Sequence, residues 1–219
     1  MIRQTKENFW VIDRDTHFTK WVEESRKLDH DEYILNNISP YLGHDSIIDI
    51  GANIGTHTYF YSKRNGAKNV IAIEPNLECV ECLFKNIPDC NIITSAVSDK
   101  DGEALFLLNN ENIGASYFTE GAGTKTIKLD NHIDYLLSLV EKKNFSFIKM
   151  DIEGYEVKAL KGMEKLISIY KPNMLIEVNS GALQRAGTSE EELIELIKSY
   201  GYFYKPLPYP SIQYDILCY

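Results

Sequence analysis

The chain has 219 residues, of which 44% are hydrophobic and 11% are aromatic, and this composition is enough for one domain with a substantial core. Its formal net charge is −9 and no basic cluster offsets it, which argues against nucleic acid or an anionic membrane as a partner. No stretch approaches the roughly 20 apolar residues of a membrane-spanning helix, and residues 1–6 are not followed by the apolar core of a signal peptide. We therefore expect a cytoplasmic protein with a small-molecule or glycan partner.

The first 43 residues form a separate predicted unit, because they contain no glycine before Gly43 and carry aromatic residues such as Trp10. We expect a short strand and one or two helices here. This N-terminal cap segment is predicted to pack over the ligand-binding side of the domain that follows, residues 44–219.

Residues 46–57 combine an apolar run, which continues to Ile50 around Asp49, with two glycines at Gly51 and Gly55 and the start of an amphipathic stretch. This order predicts a buried strand, a tight turn and a helix N-terminus, where backbone N–H groups can approach an anionic or nucleoside ligand. A second apolar run from residue 70 ends in Glu74, and an acidic residue at the tip of the next strand is where a ribose diol would be held. The two features together favour a nucleoside-cofactor site.

Apolar runs and helical patterns alternate along the rest of the chain. The near-continuous apolar runs predict strands that are covered on both faces, and the alternation predicts right-handed βαβ units in a parallel sheet. The predicted strands are 46–50, 69–74, 91–97, 145–151 and 173–179. The predicted helices are 53–65, 76–87, 131–140, 155–170 and 188–199.

Two regions break this alternation. An inserted hairpin is predicted at about 100–129, with strands at 103–108 and 124–129. At the end of the chain, strands at 202–204 and 212–218 are joined by a link too short for a parallel crossover, so the last strand must run antiparallel. The predicted fold class is therefore α/β, a Rossmann-like class I methyltransferase fold with a mostly parallel seven-stranded sheet and an antiparallel C-terminal strand.

Four segments, in order, resemble the FkbM-type family of S-adenosylmethionine-dependent methyltransferases. They are residues 48–55 (IDIGANIG), 73–76 (IEPN), 96–99 (AVSD) and 149–156 (KMDIEGYE), and the resemblance covers about residues 45–180. It implies a class I fold, S-adenosylmethionine (SAM) as the cofactor, and O-methylation of a hydroxyl, often on a sugar or a natural product.

We place the cofactor on the turn and on the next two strand ends. Gly51 and Gly55 would let the backbone approach the methionine part of SAM, and Asn53 tolerates a positive φ. An NAD fingerprint would need glycine at 53 and 56, where this chain has asparagine and threonine. The predicted cofactor site comprises Asp49, Gly51, Asn53, Gly55, Glu74 for the ribose, Pro75 and Asn76 beside the adenine, and Ser95 and Ala96 on its other side.

Asp151 and Glu153 are the candidate catalytic residues, with Asp151 ranked first. Methyl transfer is an in-line displacement, so the protein must mainly align the acceptor oxygen and remove its proton. The alternative is that Asp151 caps the helix after it. Lys149, in an otherwise apolar strand, is expected to pair with Asp49, Asp130 or Glu177, and a catalytic role is the alternative that stays open.

The sequence leaves a metal possible but unassigned. Asp130, His132, Asp151 and Glu177 carry suitable oxygen and nitrogen donors, but their spacing does not demand an ion, and the alternative makes Asp130 the cap of the next helix. Cys79 and Cys82 form a C-x-x-C with no second pair, so we expect reduced, buried thiols rather than a zinc site.

The loop at 205–211, with Tyr209, could provide an aromatic wall for the acceptor or simply a rigid connection. Two rival functions stay open at this point: an NAD(P)-dependent Rossmann enzyme and a non-catalytic SAM-binding module.

Overall fold

The computed structural model describes residues 1–16, 18–25, 32–207 and 213–219. Helices and strands are numbered in chain order. The strands are β1 (Ile2–Gln4), β2 (Trp10–Ile12), β3 (Ser46–Ile50), β4 (Val70–Ile73), β5 (Asn91–Ile93), β6 (Ala96–Val97), β7 (Gly102–Leu107), β8 (Tyr117–Ile127), β9 (Phe145–Met150), β10 (Asn173–Asn179), β11 (Tyr204–Pro206) and β12 (Gln213–Cys218). The α-helices are α1 (Phe18–Ser25), α2 (Glu32–Ile38), α3 (Thr56–Asn65), α4 (Leu77–Asn86), α5 (Ile133–Leu139), α6 (Glu156–Lys161), α7 (Glu164–Tyr170), α8 (Ser180–Arg185) and α9 (Glu190–Ser199).

Seven of the described strands form the central sheet, in the order β11-β12-β10-β9-β3-β4-β5. Strands β10, β9, β3, β4 and β5 run parallel to one another, and β12 is antiparallel to both of its neighbours. Every residue of β3 and β4 is buried, which explains their uninterrupted apolar pattern. The predicted fold class, including the antiparallel C-terminal strand, is confirmed.

The predicted strand at 91–97 is wrong, because the chain makes two short strands there. Strand β5 ends the central sheet, whereas β6 pairs in parallel with β8 in a second, three-stranded sheet. The chain turns between them, where the Ser95 N–H bonds to the Ile93 carbonyl and the Ser95 hydroxyl bonds to the Lys125 carbonyl. The continuous apolar pattern could not show that the second half changes sheet.

The predicted helix at 155–170 is likewise two helices, α6 and α7, with Gly162 between them. A Cβ atom at Gly162 would lie 1.9 Å from the Ser98 carbonyl oxygen, so the chain passes this point only without a side chain. The carboxylate of Asp130 then accepts hydrogen bonds from the N–H groups of Lys165 and Leu166. Asp130 therefore caps α7, which is distant from it in sequence. The alternative, in which Asp130 caps the helix that directly follows it, is wrong.

The start of the chain packs against α4. Strands β1 and β2 form an antiparallel hairpin, where a single strand was expected. The Asn86 side chain accepts a hydrogen bond from the Trp10 N–H and donates one to its carbonyl. Apolar residues of the hairpin pack against Cys79 and Cys82, which are buried free thiols. None of the helices in the described ranges is both long and apolar enough to cross a bilayer.

Candidate active site

A cavity of about 380 Å³ opens at the carboxyl ends of the central strands. Parallel strands bring their carboxyl ends to one edge of the sheet, and this is where open α/β sheets bind ligands. The stretches that line the cavity include the turn after β3, the segment after β4, the residues around β6, the turn after β9, and facing parts of β10 and β12. Residues 112–116 line it as well.

The floor of the cavity depends on the close approach of two strand ends. Gly51 follows β3 with a φ of +75°, and a Cβ atom there would lie 1.9 Å from the Asp151 carbonyl oxygen. Only glycine fits this position on both counts. The turn after β3 and the turn after β9 therefore lie side by side in the floor of the cavity.

Lys149 connects the two strands electrostatically. It faces Asp49 across the β3–β9 register, and its Nζ atom lies 3.7 Å from Asp49 Oδ1, 3.4 Å from Asp151 Oδ2 and 2.9 Å from the Gly51 carbonyl oxygen. Burial lowers the pKa of Lys149, but the carboxylates of Asp151 and Asp49 outweigh burial and hold that pKa above its ordinary value. The predicted pairing with Asp49 is confirmed, and the one with Asp130 is wrong.

Glu74 lies at the tip of β4 and lines the cavity although it is only 6% exposed. Its two carboxylate oxygens accept hydrogen bonds of 2.8 Å each, one from the Asn53 N–H and one from the Asn76 N–H. Burial raises the pKa of Glu74 to about 7, against the effect of those two N–H groups. A carboxylate has about four lone-pair positions, so two stay open toward the cavity.

The turn itself has the expected backbone. Asn53 adopts a φ of +50°, in the left-handed region that asparagine tolerates, and its side-chain carbonyl accepts a hydrogen bond from the Cys79 thiol at 3.3 Å. Of the remaining predicted cofactor residues, those that line the cavity are Gly51, Pro75, Asn76, Ser95 and Ala96.

Two predicted cofactor residues, Asp49 and Gly55, are not among the described residues that line the cavity. Asp49 is fully buried beneath the turn, where it accepts a 2.6 Å hydrogen bond from the Thr58 hydroxyl. At Gly55, a Cβ atom would lie 2.4 Å from Leu83 Cδ1, so this glycine lets α3 start against α4. Both residues support the turn and do not face the ligand space.

The residues at 112–116 were missed, and their contacts explain why. The Ile113 N–H donates a 3.3 Å hydrogen bond to Asp15 Oδ2, which ties this part of the inserted segment to the N-terminal segment. The asparagines around position 110 indicate a loop, but nothing in their pattern predicts where that loop folds back.

Three carboxylates meet where the acceptor is expected. One oxygen each from Asp151, Glu153 and Glu177 lies within 4.8 Å of the others. Burial, with the carboxylates of Asp151 and Glu156, raises the pKa of Glu153 to about 8. Burial and the carboxylates of Asp151 and Glu153 raise the pKa of Glu177 well above its ordinary value.

Glu156, and not Asp151, closes the turn before α6. Glu156 Oε1 accepts hydrogen bonds from the N–H groups of Ile152 and Gly154 at 3.1 and 3.3 Å. The capping alternative for Asp151 is therefore wrong. The Asp151 side chain instead contacts Lys149, and it is 40% exposed at the cavity.

The four residues named as possible metal ligands do not come together. Asp130 caps α7, and His132 Nε2 lies 3.0 Å from Asp101 Oδ1. Asp151 and Glu177 do lie together, and Glu153 joins them.

Three aromatic rings lie together at the cavity, although sequence patterns did not connect the segments that carry them. The ring of Phe118 lies 4.6 Å from that of Phe106 and 5.4 Å from that of Tyr155, centroid to centroid. All three rings line the cavity. The predicted wall at Tyr209 lies outside the described residues.

Comparisons with known proteins identify the family and the fold of this chain. The profile of the methyltransferase FkbM domain matches residues 49–204. Hexuronic acid methyltransferase AglP of Haloferax volcanii is 28% identical over 141 residues, 63% of this chain and 57% of AglP, so the chain spans little more than half of that relative. The crystal structure of methyltransferase FkbM from Methylobacillus flagellatus KT shares the fold, with a TM-score of 0.56 at 18% identity over 95% of this chain and 56% of that one.

The Lys149 pairing predicts a large stability effect. Lys149→Met should lower the free energy of unfolding by about 3–5 kcal/mol, because Asp49 is left buried without its facing cation. Adding Asp49→Asn to that variant should recover much of the loss. Urea unfolding at neutral pH measures both.

The matched control is Lys161→Met, which breaks an exposed pair with Glu192 and should cost less than about 1 kcal/mol. Equal losses in the two single variants would contradict the central role of Lys149.

Proposed function

Because this chain belongs to the FkbM methyltransferase domain family, we propose that it is a SAM-dependent O-methyltransferase that acts on a hydroxyl of a sugar or a related small molecule. The observation that carries the proposal is the position of two carboxylates on either side of one turn. Glu74 lies on one side of the residues that follow Gly51, and Asp151 lies on the other, within the same cavity.

Glu74 supports a nucleoside cofactor through its unused hydrogen-bonding capacity. Its two backbone donors hold the carboxylate in place and leave lone pairs for the two ribose hydroxyls. Pro75 and Asn76 on one side, and Ser95 and Ala96 on the other, border the space for the adenine. The sulfonium methyl group would then extend past Gly51 toward Asp151.

Asp151 is the proposed base because it is the more accessible member of the acidic group. Its side chain is 40% exposed, whereas that of Glu153 is 12% exposed and faces Arg185 at 3.9 Å. The sulfonium already activates the methyl carbon, so the chain must align the acceptor oxygen and accept its proton. As the oxygen–methyl bond forms, the carbon–sulfur bond breaks, S-adenosylhomocysteine leaves, and the hydroxyl proton passes to the carboxylate.

A sugar acceptor is supported by two observations. The rings of Phe106, Phe118 and Tyr155 form a surface of the kind that packs on the C–H faces of sugars. The relative AglP is named for methylation of a hexuronic acid. A screen of sugar nucleotides and glycans, with mass spectrometry for a methylated product, identifies the acceptor directly.

Asp151→Asn should retain cofactor affinity and lose turnover. General-base catalysis contributes roughly 100- to 10,000-fold, so kcat should fall by that factor while titration with S-adenosylhomocysteine gives an unchanged affinity. Transfer of a labelled methyl group to the screened acceptor measures kcat. Asp134→Asn, an exposed change on α5, is the matched control and should alter neither quantity.

Wild-type turnover in Asp151→Asn would remove this residue from the mechanism. If Glu153→Gln alone abolished turnover, the base would be reassigned to Glu153.

Glu74→Gln should weaken SAM binding by roughly 10- to 100-fold at pH 8, because the ribose hydroxyls lose a charged acceptor. The pKa of Glu74 is about 7 in the free protein, so its charged form declines as the pH falls through that value. Wild-type affinity should therefore decrease below pH 7, and the affinity of Glu74→Gln should not. Calorimetric titration across this range measures both.

Glu81→Gln, an exposed change on α4, should bind SAM as the wild type does. Equal SAM affinity in Glu74→Gln and wild type would contradict the assignment, and tighter binding of NAD than of SAM would overturn the proposed cofactor.

A further inference from the structure

The carboxylates of Asp151, Glu153 and Glu177 come from the turn after β9 and from the neighbouring strand. Asp151 and Glu153 follow β9, and Glu177 lies in β10. An oxygen from each lies within 4.8 Å of the other two. Two oxygens that bind one magnesium ion at about 2.1 Å lie at most about 4.2 Å apart, so small side-chain movements would bring all three carboxylates to one ion.

Glu177 provides a second, independent observation. Its Oε2 atom is fully buried and has no hydrogen-bond partner among the described residues. Glu177 also lines the cavity. A buried carboxylate oxygen without a donor is costly, so this atom requires either a proton or a positively charged ligand.

Among the described residues, no cation forms an ion pair with Glu177. The charge of Glu177 helps to raise the pKa of Lys149, but the Lys149 ammonium pairs with Asp151 and Asp49 and donates to the Gly51 carbonyl. The carboxylate that Arg185 contacts is that of Glu153, at 3.9 Å. Asp215 stands opposite Glu177 in the β10–β12 register and adds a further carboxyl group to the same cavity.

We propose that Asp151, Glu153 and Glu177 bind a divalent cation of the Mg²⁺ or Mn²⁺ type. Oxygen-only donor sets select such hard cations. The role of the ion rests on the proposed function: it would bind the acceptor oxygen and orient it toward the methyl donor, while the second oxygen of Asp151 stays available to the hydroxyl proton. The binding of the ion does not depend on that function.

Titration of the chain with Mn²⁺, followed by electron paramagnetic resonance, tests the binding without SAM or an acceptor. Wild type should show one saturable site, and Glu177→Gln should bind Mn²⁺ at least roughly tenfold more weakly. Glu103→Gln, an exposed change in β7, is the matched control and should bind as the wild type does.

If Glu177→Gln does not fold, as judged by its thermal transition, Glu153→Gln replaces it with the same expected loss.

Equal Mn²⁺ binding by the wild type and by Glu177→Gln, or by Glu153→Gln where that variant replaces it, would overturn the proposal. Methyl transfer that persists in a strong chelator, together with no Mn²⁺ site, would overturn it and leave the proposed function standing. A saturable Mn²⁺ site without methyl transfer to any acceptor would support the ion and count against the proposed function.

Discussion

The approach of the β3 and β9 ends is the constraint on which the site depends. At Gly51 the backbone lies so close to the Asp151 carbonyl that no side chain fits. This contact brings together two turns that are about 100 positions apart in the chain. The turn after β3 belongs to the proposed cofactor side, and the turn after β9 belongs to the proposed acceptor side. Their separation is thus set by backbone packing, which is rigid, and not by side chains that could adapt.

Around that contact, the carboxylates outnumber the lysine and arginine side chains. Lys149 is a buried cation that pairs with both Asp49 and Asp151. Burial raises the pKa of Glu74 against the effect of Lys149, and it raises the pKa of Glu153 against the effect of Arg185. A ligand that donates hydrogen bonds or brings positive charge would offset this cost. The proposed ribose diol at one end, and the proposed hydroxyl or cation at the other, would each supply such a group.

The central sheet and the strand ends could be predicted from sequence because they depend on local patterns. A continuous apolar run followed by an acid locates a strand tip, as at Glu74. Contacts between distant segments could not be predicted in this way. Gly162 interrupts a good helical pattern because Ser98 occupies the space of its side chain. Gly55 resembles a ligand-facing glycine but serves helix packing, and the hydrogen bond between Ile113 and Asp15 joins segments with no shared pattern.

A crystal structure of this chain with S-adenosylhomocysteine would show whether Glu74 and the turn at Gly51 form the cofactor site. Both ribose hydroxyls should bond to the Glu74 carboxylate, the amino-acid part of the ligand should lie along the turn at Gly51, and the sulfur atom should face Asp151. A ligand that lies elsewhere, or a ribose whose hydroxyls contact neither oxygen of Glu74, would contradict this assignment.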